Sequence, residues 1–182
     1  GLTSIEIPNS VTSIGNLAFG GCNGLTSIIV DENNTVYDSR NDCNAIIETS
    51  TNTLIQGCKN TIIPCSVKNI GDSAFNFCSG LTSIVIPNSV TSIGSNAFSD
   101  CSSLRSIEIP DSVKSIESEA FQSCSSLSSV VIPDSVPSIG DGAFQNCFSL
   151  ISIVIPDSVT SINKYAFSGC SSLTNIIIPE SL

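Results

Sequence analysis

Histidine, methionine and tryptophan are absent from this 182-residue chain, and tyrosine occurs only twice. Without histidine there is no side chain whose ordinary pKa lies near neutrality, so the usual general base and a common metal ligand are both missing. The sequence also lacks a glycine-rich phosphate loop and a G-x-S-x-G nucleophile elbow. Its many serines have no evident base to activate them. Carboxylate pairs alone stay open, because any two can meet in space. No catalytic residue, metal or cofactor is therefore expected.

Positive charge is equally sparse. Six lysines and arginines stand against sixteen aspartates and glutamates, a net charge of −10. Arg105, Lys114 and Lys164 are scattered, and phosphate binding needs clustered cations, so nucleic acid is not an expected partner. No apolar run approaches the roughly 18 residues of a membrane-spanning helix. No basic-then-apolar leader opens these residues. The chain starts at Gly1 instead of Met, which reads as a processed or trimmed piece of a longer protein.

What is present is a repeat. Leu81 to Ser103 reads LTSIVIPNSVTSIGSNAFSDCSS, and the same pattern restarts at Leu104, Leu127, Leu150 and Leu173, every 23 residues. A fixed period of this size marks a stacked array. Within one unit, Ile84 and Ile86 alternate about Val85, the period of a short strand with both isoleucines on one face. Pro87 has no N–H and ends the pairing. Val90 to Ile93 offers a second, shorter extended piece. Ala97, Phe98 and Cys101 are spaced for one helical turn or a short 3₁₀ piece. A lone unit would leave these apolar residues in water, whereas stacking buries them in one column. The strands should then lie parallel, about 4.8 Å apart.

The strand starts are Leu2, Leu25, Cys58, Leu81, Leu104, Leu127, Leu150 and Leu173, with one interval of 33, from Leu25 to Cys58, among intervals of 23. Residues 1–182 read as a single domain with a variant repeat over 25–57. In that variant, Ala45-Ile46-Ile47-Glu48 and Thr53-Leu54-Ile55-Gln56 are apolar runs separated by Thr49-Ser50-Thr51-Asn52, a hairpin pattern replacing the back of the unit. Neither end carries a polar cap, so the array is expected to continue or to be covered by a partner.

Stacking turns each repeat position into a row. Cys22, Cys78, Cys101, Cys124, Cys147 and Cys170 form one, with rungs about 5 Å apart. It is either a set of metal-binding or bridged cysteines or a column of small buried thiols. The lack of C-x-x-C and of histidine removes zinc geometry, and parallel side-chain directions oppose serial disulfides. Cys43, Cys58 and Cys65 lie off this row, and a Cys43–Cys65 bridge stays open. Phe19, Phe75, Phe98, Phe121, Phe144 and Phe167 form an expected aromatic spine. Asp111, Asp134, Asp157 and Glu180 form an acidic rim, either solvated or able to recruit Ca²⁺.

The residues between the two inward isoleucines point the other way. They are Glu6, Ile29, Val85, Glu108, Val131, Val154 and Ile177, and most are apolar where a solvated strand face should be polar. Contiguous exposed apolar surface marks binding faces, although β-propensity alone also favours Val and Ile in strands. The candidate ligand-binding set is Ile29, Val85, Glu108, Val131, Val154 and Ile177, with Arg105 and Ile151 from a flanking row of mostly Ser and Thr.

The unit L-x-x-I-x-I-P-x-S-V-x-S-I-G-x-x-A-F-x-x-C-x-x resembles the BspA-like class of bacterial and protist leucine-rich repeats. The resemblance covers essentially the whole chain, and the 33-residue unit with VYDSRNDCNAIIETSTNTLI is similar to a variant repeat of that class. Pro137, Asn163 and Phe148 are small departures. The resemblance implies a right-handed superhelical solenoid with a parallel sheet on the concave face. It places short extended or 3₁₀ pieces on the convex side, with one hairpin insertion. It implies a secreted or surface-attached protein engaged in adhesion, host-protein or matrix-protein binding, or self-association. The expected function is non-catalytic protein binding through the concave sheet, with a structural spacer in a longer surface protein as the alternative.

Overall fold

The structure, a computed structural model, describes residues 1–180; Ser181 and Leu182, the end of the last repeat, lie outside it. In chain order the first half holds β1 (Ser4–Ile7), β2 (Ser27–Val30), β3 (Tyr37–Asp38), a 3₁₀ turn at Arg40–Asp42, β4 (Ala45–Glu48), β5 (Thr53–Gly57), β6 (Asn69–Ile70) and β7 (Ser92–Ile93). The second half holds β8 (Ser106–Glu108), β9 (Ser115–Ile116), β10 (Ser129–Val131), β11 (Ser138–Ile139), β12 (Ser152–Val154), β13 (Ser161–Ile162) and β14 (Asn175–Ile177). The result is a β-solenoid of stacked turns with almost no helix.

Strands carrying the L-x-x-I-x-I pattern form the front of the solenoid. β1 pairs with β2, and β8, β10, β12 and β14 form a second ladder, all parallel. The register joins equivalent repeat positions, as with Ile107 opposite Val130 and Val130 opposite Ile153. Sequence periodicity predicts eight consecutive front strands; among the described residues six form. Residues 58–64 and 81–87 are the missing rungs. The long repeat accounts for the first: the Cys43 carbonyl accepts from Ile62 N (3.0 Å), and the Asn44 carbonyl accepts from Thr61 Oγ1 (2.6 Å). Residues 81–87 thus have no strand neighbour on that side. They meet the next unit through Arg105 N donating to Thr82 O at 3.3 Å.

The short V-x-S-I pieces form the more continuous sheet. It runs β13-β11-β9-β7-β6-β5-β4-β3 along the rear. The hairpin expected over Ala45–Gln56 is present as antiparallel β4 and β5, flanked by β3, and β5 hands the sheet on to β6 in parallel. The insertion is therefore spliced into the rear sheet and does not stand out from it.

A third ladder runs through the Ala-Phe pieces. Phe75, Phe98, Phe121 and Phe144 each donate N–H to the carbonyl of Ala97, Ala120, Ala143 and Ala166, at 2.7–2.9 Å. Within a unit these pieces are successive i→i+3 turns, such as Ala97 N to Gly94 O and Cys101 N to Phe98 O. Left-handed residues interrupt them (Asn96 at φ 56°, Asp100 at φ 58°), which stops any continuation into a right-handed helix.

The core divides in two. The larger part runs from the hairpin to the last repeats and includes the fully buried Phe75, Phe98, Phe121 and Phe144. Their rings stack with Phe167 at centroid spacings of 5.0, 5.4, 5.3 and 5.7 Å and planes within 6°. Phe19 is not part of this spine. It packs, half-buried, in a smaller core with Ile5, Ile7, Leu25, Ile28, Val30, Tyr37 and Cys58. Strand β4 separates the two, with Ile46 in the small core and Ala45 and Ile47 in the large one, as alternating side chains require. Gly57 ends the spine. Its N–H donates to Ala74 O at 2.8 Å, the bond that a phenylalanine N–H makes elsewhere, and the Phe75 ring covers it.

Buried Asn34 fastens the long repeat to the first one. Its Nδ2 donates to the carbonyls of Pro8 (2.8 Å) and Val11 (3.0 Å), and its Oδ1 accepts from Val36 N and Tyr37 N. Replacement by alanine leaves those buried groups unpaired, so Asn34→Ala is expected to destabilise the chain by about 1–3 kcal/mol. Urea denaturation, followed by far-ultraviolet circular dichroism, checks this.

Candidate binding face

On the front strands, inward and outward residues alternate. The inward pair is buried, as with Ile107 and Ile109 or Ile153 and Ile155, except on the last strand, β14, where Ile176 and Ile178 are exposed. The outward residue between them stands in solvent: Val85 is 82% exposed, Val131 69% and Val154 55%. Ile29, Ile151 and Ile177 are likewise more than half exposed. Glu108, Val131, Val154 and Ile177 occupy successive register positions on β8, β10, β12 and β14. Val85 lies beside them across the break, and Ile29 sits on β2, separated by residues 58–64.

Ile62 belongs to the same row and is 72% exposed. It lies four residues after Cys58, the slot of Val85 after Leu81, so the period alone was enough to find it; the irregular repeat around it hid the match.

Arg105 and Ile151 come together in the flanking row. With Ser126, Ser128, Ser149 and Ser172 they line a shallow depression of about 500 Å³. The hydroxyls of this row are partly used within the stack. Thr26 Oγ1, Ser128 Oγ and Thr174 Oγ1 donate to the carbonyls of Thr3, Arg105 and Ile151 in the preceding unit, at 3.1–3.4 Å. A larger groove of about 720 Å³ is lined by residues 83–88 and 106–111.

The cysteine row is a column of unbridged thiols. Four of the six donate to a phenylalanine carbonyl 26 residues earlier: Cys101 to Phe75, Cys124 to Phe98, Cys147 to Phe121 and Cys170 to Phe144, at 3.1–3.2 Å. Burial pushes the Cys78 and Cys147 thiols up to about 12 and Cys43 up to about 11, and raises Cys101 and Cys124 well above the ordinary value. Only the thiolate is a nucleophile, so these groups are held inert near neutrality. Cys43 is fully buried while Cys65 is exposed, and neither is bridged. All nine cysteines are thus expected to titrate as free thiols in denaturant without reductant. In the native state at pH 8, Cys65 should react fastest with a thiol reagent.

The raised thiol pKa values also set a pH dependence. An unfolded thiol ionises near 9, the folded ones near 11 to 12, so the folded state holds its protons more tightly. The associated stability is complete below pH 9 and declines as pH rises toward 12. Urea midpoints at pH 8 and pH 11 should show this loss, and Cys147→Ala should reduce it.

The acidic rim residues Asp111, Asp134, Asp157 and Glu180 are exposed. Among the described residues no group of three or more Cys, Asp and Glu side chains is placed to hold a metal ion. Nor is any helix long and apolar enough to cross a membrane. Arg40 is tied down by its ion pair with Asp38 and by bonds to Asn52 Oδ1 and Ser66 Oγ, which brace the hairpin.

Parallel strands of identical register, repeated every 23 residues around an Ile, Leu and Phe core, define a leucine-rich repeat solenoid. The profile described as "BspA type Leucine rich repeat region" matches in six copies over residues 1–51 and 47–174. The chain belongs to the BspA-type leucine-rich repeat family. Among solved structures it is similar to a leucine rich cell surface protein from Faecalibacterium prausnitzii, at 37% identity and a TM-score of 0.84 over 96% of this chain. It is also similar to a leucine-rich repeat protein from Bacteroides ovatus, at 32% identity and a TM-score of 0.74 over 99% of this chain. The chain spans slightly under half of each, 47% and 46% respectively. The pneumococcal vaccine antigen PcpA shares the fold at 22% identity, with a TM-score of 0.77 over 96% of this chain and 44% of its own. No curated protein sequence matches the chain significantly.

Proposed function

We propose that this chain is the non-catalytic binding module of a secreted or cell-surface protein, engaging another protein through its front sheet. One observation carries the reading: Val131, Val154 and Ile177 form an unbroken exposed apolar row on adjacent strands, with exposed Val85 on the far side of Glu108. A face that only met water would carry polar residues there, and contiguous apolar surface is a mark of interaction sites. The Faecalibacterium protein, described as a cell surface protein, supports the location. Extracellular host or matrix proteins, or a second copy of the chain, are the partners of matching chemistry. The spacer reading draws on a separate fact, that similar proteins are about twice as long and have room for recognition elsewhere.

The test is capture of extracellular-matrix and plasma proteins by the chain, alongside a variant carrying Val85→Glu, Val131→Glu and Val154→Glu. The substitutions lie on an exposed face, so circular dichroism should be unchanged. Binding by the parent that falls on the order of tenfold or more in the variant is the expected result. Binding that survives the three charges would move the function off the front sheet and favour the spacer.

A further inference from the structure

The exposed apolar row does not run alone. Read along the stack from the last front strand, it is Ile177, Val154, Val131, Glu108 and Val85, one residue per repeat. Three residues further along each repeat runs the acidic row Glu180, Asp157, Asp134 and Asp111. Glu108 and Asp111 line the same groove as Val85, so the two rows share a face. On the other flank Ser152, Ser129 and Ser106 are small and exposed. All four acidic residues are exposed, and among the described residues none forms an ion pair. Lys114 Nζ meets the backbone carbonyl of Asp111, at 3.4 Å, and not its carboxylate.

Spacing along the row selects the shape of a partner. Successive rungs lie about 4.8 Å apart. An α-helix laid along the stack returns an apolar residue to one stripe once per turn, about every 5.4 Å. Across Val131, Val154 and Ile177 the mismatch grows to only about 1 Å, within reach of side-chain adjustment. An extended chain returns a side chain to the same side about every 6.7 Å, and is out of step by about 2 Å after one rung.

We infer that the front sheet takes a cationic amphipathic helix of a partner protein, laid along the stack and across the strands. Its apolar stripe packs on Val131, Val154 and Ile177, and Lys or Arg along one edge of that stripe faces Asp134, Asp157 and Glu180. One turn further on, a cation meets Glu108, with Asp111 beside it. The inference rests on the front-face reading above and names the class of partner for it.

The probe is an acetylated, amidated peptide of about 18 residues, long enough at about 1.5 Å per residue to cover the row. It carries Leu once per turn on one stripe, Lys along the edges of the stripe and Gln elsewhere, and is used below its self-association concentration. The control has the same composition and charge in an order that breaks the stripe. The striped peptide is expected to bind and to gain helical circular dichroism in the complex, and the control to bind on the order of tenfold more weakly. Val131→Ser with Val154→Ser removes apolar surface without adding charge, and should weaken the striped peptide on the order of tenfold or more. Asp111→Asn, Asp134→Asn and Asp157→Asn together should have an effect of similar size. Asn9 and Asn88 already hold that slot, so the fold accepts the change. Equal binding of the two peptides, a bound peptide without helix, or undiminished binding in either variant would overturn the inference. Suppose the striped peptide fails while matrix or plasma proteins are still captured, and that capture is lost in the Val85, Val131 and Val154 variant. The inference then falls and the front-face reading stands. If neither the peptide nor any protein is bound, both fall.

Discussion

Truncating Phe98 to alanine is expected to lower stability by about 3–5 kcal/mol, the usual cost of emptying a buried phenylalanine site. The size follows from its position. Phe98 is fully buried, with Phe75 on one side at 5.0 Å and Phe121 on the other at 5.4 Å. Its backbone is fixed by bonds to the following repeat, so the neighbouring rings have little freedom to close the gap. In a stacked array each unit is stabilised by its neighbours, so a weakened interface also divides the array. Denaturation of Phe98→Ala should therefore broaden or split, with the repeats before and after residue 98 melting apart. Phe98→Leu, which keeps most of the volume, should lose less and stay in one transition. A single sharp transition with less than about 1 kcal/mol lost would show that the spine does not couple the repeats.

The second large effect is expected at Gly57, where any side chain collides with the end of the spine. A β-carbon at this position would lie 2.1 Å from Phe75 Cε1 and 2.5 Å from Cζ. The ring cannot swing away easily, because Phe98 stacks on its far side. Gly57→Ala is expected to cost about 1–3 kcal/mol, as overpacking of a filled core does, and Gly57→Val more. The loss should centre on the junction between the two cores, since Gly57 ends β5, the strand that links the hairpin to the regular array. Thermal melts of the two variants, with proteolysis to see whether the first repeats are cut before the last, would check this. Equal stability of Gly57→Val and the parent would mean that Phe75 has space to rotate.

The sequence by itself determined the repeat, its 23-residue period and the inward or outward direction of every front-strand residue. It could do so because stacking in register converts period into position: Val131 and Val154 had to become neighbours once their repeats were adjacent. The exposed row, the buried thiols and the hairpin of the long repeat were legible for the same reason. Three features were decided only by the tertiary structure. The break at residues 81–87 is one, because whether a strand pairs depends on its neighbour, and the neighbouring unit is the irregular one. The separation of Phe19 from the aromatic spine is another, because Gly57 and β4 stand where a phenylalanine of the missing segment would have stacked. The last is the continuity of the rear sheet, in which six two-residue strands and the two longer strands of the hairpin align into one eight-stranded sheet. Periodicity carries local pattern from unit to unit; where one unit departs from it, side-chain packing and backbone pairing settle what its neighbours do.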